Sequence, residues 1–367
     1  MKIPLIKTIT ALCVTTLLWG CAAAPPAKKE PDRYVFFPKM PDPPRIQFLT
    51  SITSASDFIS SAQRSSFADF VVGKKKKLPR KISKPYGVAI KGGVIYLCDT
   101  DINMLTTLDL PGQKLSFIGS QETQGIELKK PINIAIDADG TKYITDAQLA
   151  AVVVLDQNNM FKAMLGKKEM KRPSGVAVTP DKLYVTDVLG NEILVYDKAT
   201  GRLMKRIGSS TDGKLKILAP TNIAVDPQGN LYVSETMGYR VQKLSPDGNI
   251  LKTFGGGLGD AFGQFARPRG IALDRKGLVY TVDAWHNVVQ IFDPEGQLLL
   301  FFGEMGPNPG NLNLPAQIAI DYDNVELFKK YAAPDFEVEY LVIVTSQYGN
   351  RLVNVYGFGH KKGAGNA

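Results

Sequence analysis

Carboxylates recur along this chain at a spacing that would set them in one ring. Asp99, Asp146, Asp187, Glu235 and Asp283 each close a short apolar run such as Leu183-Tyr-Val-Thr-Asp, and Ser346 holds the sixth place. Five carboxylates in a ring could hold a divalent metal. Each is followed by a tight turn, as in Asp187-Val-Leu-Gly-Asn, whose backbone N–H groups a carboxylate can accept, and that structural role is the expected one. A second set is Gly87, Asn133, Gly175, Asn222, Gly270 and Gln317, alternating between glycine and a carboxamide. Neutral carboxamides suit a polar channel that holds water, or a small polar ligand; without carboxylates they are poor ligands for a divalent ion. Tyr86 and Arg269 each precede a glycine of this set and complete the candidate ligand or partner face.

Other chemistry is scarce. The only histidines are His286 and His360, which excludes a three-histidine metal centre within one chain. His286 lies in a Trp-His-Asn turn and reads as structural; His360 lies in a Gly- and Lys-rich tail without a nameable partner. No Ser-His-Asp set can be assembled from them. Cys98 fills the slot held elsewhere by Thr145, Thr186, Ser234, Val282 and Thr345, a place for a small packed side chain. No CxxC or CxxCH occurs, which argues against a zinc ribbon, a thioredoxin-like motif and covalent haem. No catalytic residue, metal or cofactor is expected.

These residues owe their spacing to a repeat. Short apolar strands open at Pro85, Pro131, Pro173, Pro220, Pro268 and Pro315, with intervals of 46, 42, 47, 48 and 47 residues. Each is followed by a second strand ending in the carboxylate position, a third such as Arg240-Val-Gln-Lys-Leu, and a fourth ending in an aromatic or aliphatic residue plus Gly. Four strands every 46 or so residues predict a propeller blade, because one such unit cannot bury both faces alone. The 34 glycines and 23 prolines among 367 residues fit many turns. An apolar content of 44% excludes a mainly disordered chain, and the formal charge is +9. The sixth unit lacks a fourth strand. Residues 45–52, Arg45-Ile-Gln-Phe-Leu-Thr-Ser-Ile, read as an outer strand that pairs with blade 6 and closes the ring.

The phrases Gly263-Gln-Phe-Ala-Arg-Pro-Arg-Gly-Ile-Ala-Leu-Asp and Asp283-Ala-Trp-His-Asn-Val-Val-Gln-Ile-Phe resemble the NHL repeat, as does Pro220 to Gly255. The resemblance covers residues 84–359 and implies an all-β, six-bladed β-propeller of NHL type. It also fits His286 as a turn residue. Related propeller lyases and lactonases hold a divalent metal in the channel, which implies an enzyme as the alternative function.

The N-terminus reads as an address. Lys2 and Lys7 precede an apolar run over Ile9 to Trp19, too short to span a bilayer but suited to a signal-peptide core. Leu18-Trp-Gly-Cys21 resembles the lipobox of bacterial lipoproteins, so residues 1–20 are expected to leave and Cys21 to carry lipid. Ala22 after that cysteine points to the outer membrane, on its periplasmic or extracellular face. Residues 21–44 are a Pro-rich tether with roughly 70 Å of reach. Residues 53–83 form an insertion with a basic run, Lys74, Lys75, Lys76 and Lys77, a solvated loop or an electrostatic patch for acidic lipid heads or an acidic protein rather than nucleic acid. A second insertion sits in blade 6, where Asp321 to Ser346 spans 25 positions against 9 between Asp226 and Glu235, with a short helix over Leu327-Phe-Lys-Lys-Tyr. Residues 360–367 form a polar tail. The expectation is a monomeric, envelope-anchored lipoprotein whose propeller binds an unidentified protein without catalysis. A secreted cytochrome is one partner that the resemblance implies. A sensor for a small polar ligand is a further alternative.

Overall fold

The computed structural model describes residues 34–39, 41–58, 81–208 and 217–363. Cys21 and Lys74 to Lys77 lie outside them. The described strands form six sheets, one per blade. Blade 1 runs over Pro85–Lys91, Val94–Asp99, Met104–Asp109 and Lys114–Ile118, and blades 2 to 5 repeat this antiparallel meander. Every inner strand begins at the predicted proline, which has no N–H to give to a ladder and so suits a strand's first position. In each blade that proline sits opposite the carboxylate position of the second strand, Pro131 against Asp146 for example, and the register then shifts. The repeat therefore fixes both partners of the site at the same end of the blade.

Apolar burial lies between blades. Cys98, Leu105 and Ile118 of blade 1 pack with Ile134, Ile144 and Val153 of blade 2 in one cluster. Such stacking gives each sheet the second buried face that it cannot make by itself.

Blade 6 closes the ring as expected. Its order is Val35–Phe37, Ile46–Ile52, Val353–Lys361, Phe336–Ser346 and Pro315–Asp321. The closing strand pairs antiparallel with the last one, from Ile46 opposite Phe358 to Ile52 opposite Val353. The fifth strand, Val35–Phe37, corrects the tether expected over 21–44, which is already part of the folded body by Val35. The physical reason is aromatic: Phe37 packs 6.0 Å from Phe302 and 6.4 Å from Tyr356, burial that a solvated linker would forgo. The expected tail at 360–367 also starts too early. The last strand runs to Lys361, and His360 Nδ1 lies 3.2 Å from Glu339 Oε1.

The blade 6 insertion holds a short helix, but it begins earlier than expected, at Val325–Phe328, and Lys329–Tyr331 forms a 3-10 turn. Much of the extra length is instead strand, since Phe336–Ser346 has 11 residues. The buried side chain of Gln47 clamps the insertion to the closing strand, donating to Tyr331 O at 3.1 Å and accepting from Ala333 N–H at 3.0 Å.

Candidate functional site

Because first and second strands are antiparallel, inner-strand starts, second-strand ends and blade-to-blade connectors share one face, the connector face. The carboxylates lie there, buried, and they act on backbone. Asp146 accepts N–H bonds from Lys129 (2.8 Å) and Lys130 (3.0 Å) of the incoming connector, and from Gln148 (3.1 Å) and Leu149 (3.0 Å) of the following turn. Asp99 and Asp283 bind their connectors likewise, through Ser83 and Lys84, and through Ala266 and Arg267. The turn role was legible in sequence; the connector half was not. Glu235 differs. Burial raises its pKa, against the Leu218 N–H and the Arg240 guanidinium 3.1 Å away.

On the axis, the three carboxamides meet. Asn133 Nδ2 donates to Asn222 Oδ1 (3.1 Å), Asn222 Nδ2 to Gln317 Oε1 (2.7 Å), and Gln317 Nε2 to Asn133 Oδ1 (3.3 Å). Each oxygen also accepts the N–H of the next residue, Ile134, Ile223 or Ile318, at 2.8, 2.9 and 3.1 Å. The expected carboxamide ring, a polar channel lining or a small-ligand site, is present, but its members bond to one another. The side chains are buried, so the ring plugs the channel. The alternating glycines are the geometric condition. A Cβ at Gly87 or Gly175 would sit 2.6 Å from the Cα of Asn133 or Asn222, and one at Gly270 would sit 2.6 Å from Gln317 Oε1. Blades 2, 4 and 6 are also stitched to their successors, with Thr145, Ser234 and Thr345 hydroxyls donating to the carbonyls of Ser174, Arg269 and Tyr86.

One expected outcome follows directly. Gly175→Ala must push two inner strands apart and should cost about 1–3 kcal/mol, read as a lower urea midpoint at unchanged slope. A midpoint equal to wild type would deny the close approach.

A divalent ion does not fit this axis. The three carboxamide oxygens are already taken by N–H donors. Among the described residues, no group of three His, Cys, Asp or Glu side chains could hold a metal. Cys98 is buried, which pushes its thiol well above the ordinary range, and Asp146 and Asp99 act the same way; it is packing rather than a nucleophile.

Arg269 and Tyr86 are brought together at the mouth. The guanidinium of Arg269, on blade 5, reaches past blade 6 to stand 5.5 Å from the Tyr86 ring of blade 1. It donates to Gln347 Oε1 at 2.9 Å. Burial lowers its pKa, Tyr86 opposes this, Arg267 adds to it and Tyr348 opposes it. Lys84 Nζ lies close by, 2.8 Å from Tyr348 Oη. Basic residues precede the inner-strand proline in four blades, at Lys84, Lys130, Arg172 and Arg267.

Around this mouth runs an apolar arc that sequence reasoning missed. Leu189, Met237, Trp285 and Tyr348 each follow the carboxylate position by two residues, and each is more than half exposed. The same place in blades 1 and 2 holds Asp101 and Gln148. Aligning the blades on the carboxylate would have shown the change from polar to apolar. Leu258, Phe262 and Met305 of the connectors extend the exposed surface, with Phe262 stacked on Phe301 at 4.7 Å.

His286 latches one connector. Its Nε2 lies 2.9 Å from Asp260 and its Nδ1 2.9 Å from Asp283. Burial lowers the imidazolium pKa, but the bonds to Asp260 and Asp283 outweigh it and the net shift is upward. The latch therefore contributes fully below the ordinary value of 6.5 and fades as pH rises through the raised one. Asp260 is solvent-exposed, so the effect is small: wild type should lose roughly 1–2 °C more melting temperature between pH 5.5 and 8.5 than Asp260→Asn does. Parallel pH profiles for the two proteins would contradict the latch.

Among the described residues, the opposite, hairpin face carries surface grooves between blades 2 and 3 and between blades 3 and 4. The first is bridged by Lys198 and Asp137, 2.6 Å apart.

Residues 61–255, more than half of the chain, match the model for the SMP-30/gluconolactonase/LRE-like region. Among solved structures, the chain is similar to a catalytically inactive virginiamycin B lyase from Staphylococcus aureus with quinupristin. Identity is 17%, coverage is 79% of this chain and 88% of that one, and the TM-score is 0.50. It is also similar to an auxiliary nutrient binding protein from Bacteroides thetaiotaomicron, at 13% identity, 76% and 71% coverage and a TM-score of 0.58. A protein of unknown function from the same organism matches at 15% identity, 85% and 75% coverage and a TM-score of 0.58. At these identities the likeness is one of fold.

Proposed function

The chain belongs to the SMP-30/gluconolactonase/LRE-like family, and from that premise we propose that it is a binding member: a propeller whose connector face docks a protein and performs no chemistry. The observation that carries this reading is the exposed arc of Leu189, Met237, Trp285 and Tyr348, set beside Lys84, Lys130, Arg172 and Arg267. Large apolar and aromatic side chains interleaved with arginine are what protein interfaces concentrate, and solvent-exposed apolar groups in one tract mark docking surfaces. The similar structures include both a lyase and a nutrient-binding protein, so this fold serves reaction and binding alike.

A metal-dependent lyase or lactonase needs ligands at the axis, and there the carboxamides bond one another instead. A sensor for small polar molecules would have to use a part of the connector face other than this ring. In the proposed setting, Cys21 carries lipid and anchors the propeller in the cell envelope, at the outer membrane, as a monomer. Its partner is an envelope or electron-transfer protein, a secreted cytochrome among the candidates, and the surface charge favours an acidic one.

The test is isolation of the native protein in mild detergent, chemical cross-linking and peptide mapping. A stoichiometric partner with its cross-links on the connector face, near Lys84, Lys130 and Trp285, is the expected result. A lone chain that hydrolyses a lactone when a divalent ion is added would overturn the reading.

A further inference from the structure

We infer that the mouth of the channel is a carboxylate site, with Arg269 as its anchor. The inference rests on the docking reading and deepens it, by naming the group that the docked molecule presents.

The starting point is an imbalance. Arg269 is only 8% exposed, yet among the described residues no carboxylate reaches it, and its one hydrogen bond goes to the neutral Gln347. A guanidinium has five N–H donors, so most of its capacity is unspent in a place where water is scarce. Burying an unpaired charge is costly, and such groups are normally paired. The acids of this face cannot supply the partner. Asp99 and Asp283 are held by the connector N–H groups of Ser83, Lys84, Ala266 and Arg267. Charges nearby have the same sign, with Lys84 Nζ over the Tyr348 ring at 4.8 Å and Arg267 two residues away in sequence.

The missing counter-ion therefore comes from outside. The planar guanidinium fork matches a carboxylate through two parallel N–H···O bonds, and one buried guanidinium balances one negative charge. The Tyr86 ring backs the Arg269 guanidinium, and the Tyr348 ring holds the Lys84 ammonium, so two further groups fix the cations of this site. The carboxylate has two sources: a free organic acid, or a side chain or C-terminus of the docked protein.

The experiment uses the full-length protein in mild detergent, titrated calorimetrically with sodium benzoate, sodium phosphate, and a Gly-Gly-Phe peptide as free acid and as C-terminal amide. Benzoate and the acid peptide are expected to bind and to raise the melting temperature, and the amide to bind at least tenfold more weakly. An acid peptide that binds more tightly than benzoate assigns the carboxylate to a docked protein; the reverse order assigns it to a free organic acid. Arg269→Met should abolish the response. Arg269→Lys, which keeps the charge and the fold but loses the fork, should weaken it at least tenfold. No heat from either carboxylate at 50 mM, an undiminished response in Arg269→Lys, or phosphate binding more tightly than benzoate would overturn the proposal. The titration needs no protein partner, so a failed docking reading would leave a carboxylate response standing, and the two fail separately.

Discussion

A chain that begins at residue 53 is expected to show no cooperative thermal transition above room temperature. That truncation removes the strands Val35–Phe37 and Ile46–Ile52. With them go Phe37, Ile46, Phe48, Leu49 and Ile52, all buried. At about 1.5–3 kcal/mol per buried large apolar side chain, the loss is on the order of 8–15 kcal/mol. That is the size of a whole domain's net stability. The damage extends further. Tyr356 loses Phe48, 5.5 Å away, and the insertion loses its Gln47 clamp. The last strand, Val353–Lys361, becomes an open edge prone to pairing with another copy. The check is differential scanning calorimetry together with sedimentation. A melt within a few degrees of the full chain would mean that the ring closes without these strands.

Asn222→Ala should cost about 2–5 kcal/mol, the second largest effect, and lower the melting temperature by roughly 5 °C or more. Three hydrogen bonds end at that side chain: one from Asn133, one to Gln317 and one from the Ile223 N–H. Asn133, Gln317 and Ile223 are all buried, and an orphaned polar group there pays its full desolvation cost. An Ala variant as stable as wild type would mean that water already serves these groups, and so that the channel is open. The same substitution should leave docking on the connector face intact, because the plug lies beneath that surface.

The ring of blades was legible because each device in the repeat acts locally. A proline opens the inner strand, an apolar pair of strands follows, and a carboxylate closes the second. The closing strand was legible for a different reason: the sixth unit ends one strand short, and Ile46-Gln-Phe-Leu has an outer strand's pattern. Val35–Phe37 escaped notice because it is three residues long amid prolines, and only Phe302 and Tyr356, distant in sequence, give it a place to pack.

The candidate site was half legible. The alternation of glycine with Asn133, Asn222 and Gln317 was visible, and so was its place on the axis. That the carboxamides bond to one another depends on how closely the inner strands converge, which repeat spacing does not encode. Arg269 stood out only as a neighbour of Gly270. Its burial, and the absence of an acid beside it among the described residues, emerge when blades 5, 6 and 1 meet. The apolar arc lay in plain sight, but single exposed residues such as Met237 or Leu189 mean little until the blades are stacked.

The central claim is that the connector face is where this protein meets its partner. The most direct measurement places a photoreactive phenylalanine analogue at Trp285 or Tyr348 on that face, and at Pro180 or Gln228 on the hairpin face, then irradiates the living cells and resolves the adducts by mass. The account predicts one protein adduct of constant mass from Trp285 and Tyr348, and none from Pro180 or Gln228. Adducts from the hairpin positions alone, or none from any of the four, would contradict it.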